Sequence, residues 1–224
     1  MAVTYNTHSI AQHSIFAATR VASVGMTVQG TDYLVGFVMS TDAGLTELYY
    51  GASTFTKVAV ARNMTMAVFD PNGATTGSVT ITSSVNNGTT SALLCVVNFS
   101  GVRKAAPYSE SSTSAPFFEN TTLVLNLATT DNGLIAFGWY MEDNELNHTT
   151  AHVTHAPAAS ISTRENRVTD STRVFQLLTH AGVASTFGSS HSRGTNNFYE
   201  NIVTLSLNPA GVLSNAISQT IFLM

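Results

Sequence analysis

The sequence predicts an all-β protein, a jelly-roll-like two-sheet antiparallel β-sandwich, in a single domain spanning residues 1–224. Three observations predict it. About a dozen short runs rich in β-branched and aromatic residues are divided by turn signals every 8–12 residues. No stretch shows a convincing 3.6-residue period. Charged residues make up only 10%, and Thr, Ser, Asn and Gly stand in their place, which suits hydroxyl-rich outer strand faces and tight turns. No repeat period emerges. The alternative architecture is two small β-domains divided near residue 145.

The central stretch is Ser91–Pro107. Ala92–Phe99 is an almost unbroken apolar run, closed by Ser100-Gly101 and Pro107, as for a strand buried on both faces. Leu134–Met141 is a second such run, and the two mark the centre of the sandwich.

The other elements follow in chain order. Residues 1–12 read as an extended N-terminal arm with Tyr5 and Ile10 as apolar anchors. Ile15–Val28 alternates, with Ala22, Val24, Met26 and Val28 on one parity and Ser23 and Thr27 on the other. Gly30-Thr31-Asp32 is a turn, and Tyr33–Met39 a short buried strand. Thr46–Tyr50 and Phe55–Val60 form a hairpin about Gly51-Ala52. Met64–Phe69 is a strand stopped by Asp70-Pro71-Asn72-Gly73. Gly77–Ser84 alternates, and Asn86-Asn87-Gly88 turns into the central run. Residues 103–120 read as a long polar loop. Thr121–Ala128 is a strand that turns at Thr130–Gly133 into Leu134–Met141. Residues 142–171 are the least regular part. Val174–Leu178 and Gly182–Phe187 read as strands, Ser189–Asn197 as a loop, and Phe198–Leu207 as a strand. Residues 209–224 are apolar and carry no Lys, Arg, Asp or Glu. They read as a final strand of the home sheet, or else as a tail reaching a neighbouring subunit.

The formal net charge is −4 and the pI about 5.9. Nine Lys and Arg are scattered without a basic stripe, which argues against nucleic-acid partners. The single Cys95 forms no internal disulfide and reads as a small buried hydrophobe. The start of the chain has no basic segment followed by an apolar core, so no signal peptide is expected. No apolar stretch reaches about 18 residues, so no membrane helix is expected. Sequons at Asn63, Asn87, Asn98, Asn120 and Asn147 match chance in so Asn- and Thr-rich a chain. So little surface charge suits a protein covered by neighbours, and a homo-oligomer is expected.

The sequence assigns no catalytic, cofactor-binding or metal-binding residue. One cluster stands out: Glu142, Asp143, Glu145, His148, His152 and His155. On a helix the three histidines share a face, as a metal site needs. Thr149, Thr150, Val153 and Thr154 disfavour helix, and Pro157 follows, so an exposed polar loop is the better reading. The adjacent carboxylates do not face each other across a cleft as glycosidase chemistry requires. No G-x-S-x-G elbow is present, and the Gly188–Gly194 loop lacks the phosphate-loop Lys. Trp139, Tyr140, Tyr49 and Tyr50 are candidates for a sugar-stacking platform, with core packing the better reading of Trp139.

The order of motifs resembles a family of β-sandwich domains common in phage genomes and in some bacterial secreted proteins, which in phage particles are similar to capsid decoration (cement) and other virion-associated domains, tail appendage modules among them. The counterparts are Tyr33–Met39, then Tyr49–Phe55, then Pro71-Asn72-Gly73 with Gly77–Thr82. Val96–Val102 with Pro107 and then Thr121–Phe137 complete the series. The likeness covers roughly residues 33–140. The chain departs from the pattern at Arg103-Lys104-Ala105-Ala106, where acidic and polar residues are usual. The resemblance implies a non-enzymatic structural protein on the virion exterior that bridges neighbouring subunits of the major capsid protein, with a trimer favoured because capsid decoration sites are often threefold. A phage tail or fibre module binding host-surface glycan is the alternative, and a depolymerase fragment ranks last.

Overall fold

The computed structural model describes residues 1–14, 20–40, 47–61, 64–72, 74, 76–85, 91–114, 122–127, 133–143, 153–156, 161–170, 173–181, 185–191 and 198–211. Among them there is no helix, and every strand pairing is antiparallel.

The strands form four sheets. Sheet I runs β1 (Thr4–Ser14), β9 (Ser91–Ser100), β3 (Tyr33–Ser40), β7 (Met64–Phe69), β6 (Thr56–Ala61). Sheet II runs β2 (Arg20–Val28), β8 (Gly77–Val85), β4 (Glu47–Tyr50), β5 (Ser53–Thr54). Sheet III runs β10 (Tyr108–Ser114), β17 (Phe198–Leu207), β12 (Leu134–Asp143), β15 (Arg173–Ala181), β14 (Ile161–Asp170). Sheet IV runs β11 (Thr122–Leu127), β16 (Ser185–His191), β13 (Val153–Ala156).

The pairing is nested. β1 pairs with β9, β2 with β8, β3 with β7 and β4 with β5. The first half is thus one long hairpin doubled over, its successive rungs falling alternately into sheets I and II. The second half repeats the scheme: β10 with β17, β11 with β16, β12 with β15. The order β1-β9-β3-β7-β6 recurs as β10-β17-β12-β15-β14, and β2-β8-β4 as β11-β16-β13. Each strand lies about a hundred residues after its counterpart. The expectation of no repeat is therefore corrected. What recurs is the pairing scheme, which side-chain identity specifies loosely, since many sequences fit one alternating strand.

The inner strands of sheet I are buried on both faces, so both parities of β3, β7 and β9 are largely apolar. In β3, Leu34 and Val38 point to sheet II, and Tyr33, Val35, Phe37 and Met39 to sheet III. In β9, Leu94 and Val96 take the first side, and Leu93, Cys95, Val97 and Phe99 the second. Sheet II completes the first core with Ala22, Val24, Met26 and Val28, while Ser23, Gly25 and Thr27 face outward. Sheet III completes the second core with Leu134, Ala136, Phe175, Leu177, Val203 and Leu205. There the Phe37 and Phe175 rings meet with centroids 6.5 Å apart. Sheets I and II pair face to face as a sandwich requires. Sheet III adds a layer beyond the expected two, because sheet I has a second apolar face to cover.

Contacts across this second core are reciprocal. β6 lies against β10, and β1 reaches β14 through Tyr5 and His8. β10 and β14 are the counterparts of β1 and β6, so each contact is the image of the other. The register agrees: Tyr5 stands opposite Phe99 at the start of β1, and Tyr108 opposite Leu207 at the start of β10. The two halves meet as the subunits of an isologous dimer do, within one chain.

Several expectations change at the strand level. The expected arm at residues 1–12 is extended, and from Thr4 it is the edge strand β1, with Tyr5 and Ile10 packed on the seam core. The loop expected at 103–120 contains β10. The irregular stretch 142–171 contains β13 and the ten-residue β14. β10 and β14 are edge strands rich in Ser, Thr and charge, so they lack the apolar run that marks an inner strand. The runner-up boundary near residue 145 lies outside the described residues; the two halves meet at 101–107. Of the C-terminal segment 209–224, only 209–211 lie within the described residues.

Two glycines have a packing reason. A Cβ on Gly36 would collide with the Leu48 side chain, so its absence lets sheet II settle on β3. Gly101 has φ +71°, and a Cβ there would meet the Ala2 carbonyl. Around Gly101 the strand ends converge. Ala210 N donates to Gly101 O at 2.6 Å, Arg103 N to Asn208 O at 2.9 Å, and the Met1 amino group to Ala210 O at 2.8 Å.

Gly101→Ala is expected to cost about 1–3 kcal/mol, the strain of a non-glycine residue in the left-handed region. A melting temperature lower by about 2–4 °C per kcal/mol is the measurement. Cutting the chain at a protease site placed after the exposed Ala105 should leave the halves together on gel filtration at micromolar concentration. Separate elution would contradict the shared core.

Candidate functional site

The polar chemistry runs from the space between sheets I and II, on the Leu94–Val96 side of β9, across the link to the seam between the halves. It begins at the turn before β3. Asp32 N donates to Gln29 O at 3.1 Å, and Gln29 N donates back to Asp32 Oδ2 at 2.7 Å. Asp32 is 4% exposed. Asn98 Nδ2, from β9, donates to the same oxygen at 2.6 Å and reaches Thr27 O at 3.4 Å. Asn6 Nδ2 donates to Asn98 Oδ1 at 3.2 Å, and Ser100 Oγ to Asn6 Oδ1 at 3.0 Å. A buried carboxylate must be hydrogen-bonded or paired. Here a local turn and one asparagine do most of it.

Lys104 adds the charge. Its ammonium donates to Asp32 O and to Asp70 Oδ1, and it lies 5.9 Å from the centroid of the Tyr33 ring. Asp70 also accepts from Asn72 N at 3.0 Å, which caps the turn after β7. The lysine thus ties the link between the halves to two turns of the first half.

Beside this pair opens a cleft of about 390 Å³. Tyr33, Val68 and Phe69 line it from the first half, with the hydroxyls of Thr54 and Thr56 and the carboxylate of Asp70. Lys104 and Pro107 line it from the link, and Tyr108 from the second half. Tyr33 is 3% exposed and lines the cleft. Burial, with Tyr108 and Asp70 beside it, pushes the Tyr33 phenol well above its ordinary range.

A second polar group bridges β1 and β14. The Tyr5 hydroxyl and His8 Nδ1 are 2.6 Å apart, and His8 Nε2 lies 2.9 Å from Glu165 Oε2. The Arg164 guanidinium sits 4.4 Å over the Tyr5 ring, and Arg164 Nε donates to Thr179 Oγ1 at 2.8 Å. The order phenol–imidazole–carboxylate mimics a nucleophile–base–acid relay. Burial raises the Tyr5 phenol, so it stays protonated and serves as a tie between the halves. Behind it, burial raises the Cys95 thiol, which is fully enclosed and unreactive as a small hydrophobe.

The candidates marked in the sequence are scattered. Glu142 and Asp143 end β12 in sheet III, and His155 is in β13 of sheet IV. Glu145, His148 and His152 lie outside the described residues. Among the described residues no three His, Cys, Asp or Glu side chains are grouped to hold a metal. Tyr50 is 5% exposed and stacks on Phe69 with centroids 4.7 Å apart, so its ring belongs to the first core. Tyr49 hydrogen-bonds Glu47 at the strand edge. Trp139 and Tyr140 are in β12, and their side chains lie outside the described residues. The Gly188–Gly194 loop is strand β16 as far as His191. The sequon at Asn98 is 3% exposed and committed to Asp32.

The residues missed are Tyr33, Asp32, Lys104 and the Tyr5–His8–Glu165 group. Their partners are distant in the chain, and single residues gave no spacing to read. One signal did exist, since Lys104 falls in the tetrapeptide where the chain departs from the pattern it resembles. No family model, curated protein or solved structure matches the chain.

Asn98→Leu is expected to cost roughly 2–4 kcal/mol, because it leaves the Asp32 carboxylate buried with fewer donors. Urea unfolding measures it. Asn98→Asp should be worse at neutral pH and recover as pH falls through the carboxylate range, since two abutting carboxyls fold together only by sharing a proton.

Proposed function

We propose that the chain is a structural, non-enzymatic protein of a bacteriophage particle, a decoration or cement protein that bridges neighbouring subunits of the major capsid protein on the head exterior. The nested pairing of each half carries this reading. First strand with last, second with next-to-last, is the scheme of a jelly roll, and we read each half as one. Jelly rolls recur in capsid and lectin domains. The step from fold to role is an analogy, and the role itself comes from the phage-domain resemblance of residues 33–140, a stretch that crosses the link between the two halves.

The composition supports the same role. A chain with only 10% charged residues suits contact with neighbours more than free solution. Sheet I, enclosed between two sheets, gives a stiff body. A stiff body carrying several weak contacts gains by multivalency, because the second contact forms at high effective concentration. A homotrimer seated on a threefold site of the lattice is the simplest assembly of this kind.

Quantitative mass spectrometry of purified particles tests the proposal. Hundreds of copies per particle, and heads that burst at lower temperature when the protein is stripped, are the expected results. A few copies confined to the tail would overturn it. Light scattering of the isolated protein should give a trimer.

A further inference from the structure

The seam cleft has a composition that the decoration role does not need. Several of its polar groups lack protein partners. Lys104 has three N–H donors and uses two, on Asp32 O and Asp70 Oδ1. Asp70 Oδ1 serves both Lys104 and Asn72 N, and Asp70 Oδ2 takes no hydrogen bond from the described residues. The same holds for the hydroxyls of Tyr108, Thr54 and Thr56.

The charges decide the ligand class. Asp70 and Lys104 neutralise each other, so the cleft offers no net field for an anion or a cation. A bound phosphate would meet the Asp70 carboxylate. What remains is a ring of hydroxyl, carboxylate and ammonium groups around Val68, Phe69, Pro107 and Tyr108. Such a lining matches a ligand with hydroxyls on its rim and C–H groups on its face. The volume, about 390 Å³, falls at the small end of ligand sites, which run from about 300 to 1,000 Å³.

We infer that this cleft binds a neutral saccharide, its ring against Tyr108 and its hydroxyls on Asp70, Lys104 and the Tyr33 phenol. Both halves and the link between them supply the contacts, so the site exists only when the halves are joined. A head decoration protein and a tail module can equally carry it, and its test does not depend on where in the particle the chain sits.

Saturation-transfer NMR on the full chain is the experiment, with the methyl glycosides of glucose, galactose, mannose and N-acetylglucosamine at millimolar concentration. Inorganic phosphate serves as the anionic control in competition. The expected result is transfer to at least one glycoside, not competed by phosphate. Asp70→Asn should weaken it about tenfold, the loss of one charge-assisted hydrogen bond. Tyr108→Ala should abolish it, and Tyr108→Phe should leave it reduced. Thr54 is exposed, so Thr54→Val reports on the site without disturbing the core should Asp70→Asn fail to fold. Absence of transfer to all four glycosides overturns the inference. So does transfer that phosphate abolishes, or that persists unchanged in Tyr108→Ala and Thr54→Val.

Discussion

The structure depends on the burial of sheet I on both faces. A sheet with one wet face needs apolar residues only at alternate positions. The inner strands of sheet I have no wet face, so β3, β7 and β9 are apolar at nearly every step and reach across to two different neighbours. Because apolar burial is the dominant favourable term in folding, sheet II and sheet III are both held by one shared layer. The first core lies wholly within the first half, whereas the seam core draws β3, β7 and β9 from one half and β12, β15 and β17 from the other, so neither half covers the seam alone.

The polar groups of the seam follow from that burial. Once Asp32 is enclosed, its carboxylate has to be met by the Gln29 amide and the Asn98 side chain. Once β14 lies over β1, Glu165 has to find His8, and Arg164 settles on the Tyr5 ring. These contacts are fewer and weaker than the apolar ones, but they are directional. The two that cross between the halves, His8 with Glu165 and Arg164 with Tyr5, fix how far one half slides over the other, where an apolar face alone tolerates several registers.

The sequence was informative wherever burial imposes a pattern. Ala22–Val28 alternates in the chain and alternates in exposure, and the doubly apolar Ala92–Phe99 is the enclosed strand β9. The sequence was uninformative at sheet edges. β10, YSESSTS, and β14, ISTRENRVTD, carry no apolar run because each pairs on one side only, and polar residues suit an edge that must not attract another chain. The repeat escaped notice because it lives in which strands pair, and pairing across a hundred residues leaves no local mark. The seam site was invisible for the same reason, as Tyr33, Asp70, Lys104 and Tyr108 become neighbours only through the fold.

The convergence at Gly101 makes the path of the chain nearly circular. The Met1 amino group bonds Ala210, Ala210 bonds Gly101, and the link to the second half departs from the same place. All entries to and exits from the two halves therefore share one pole of the molecule. A tether attached before residue 1, inserted between the halves, or carried beyond residue 211 would pull on the protein from that single pole, leaving the four-sheet body free to present its opposite end.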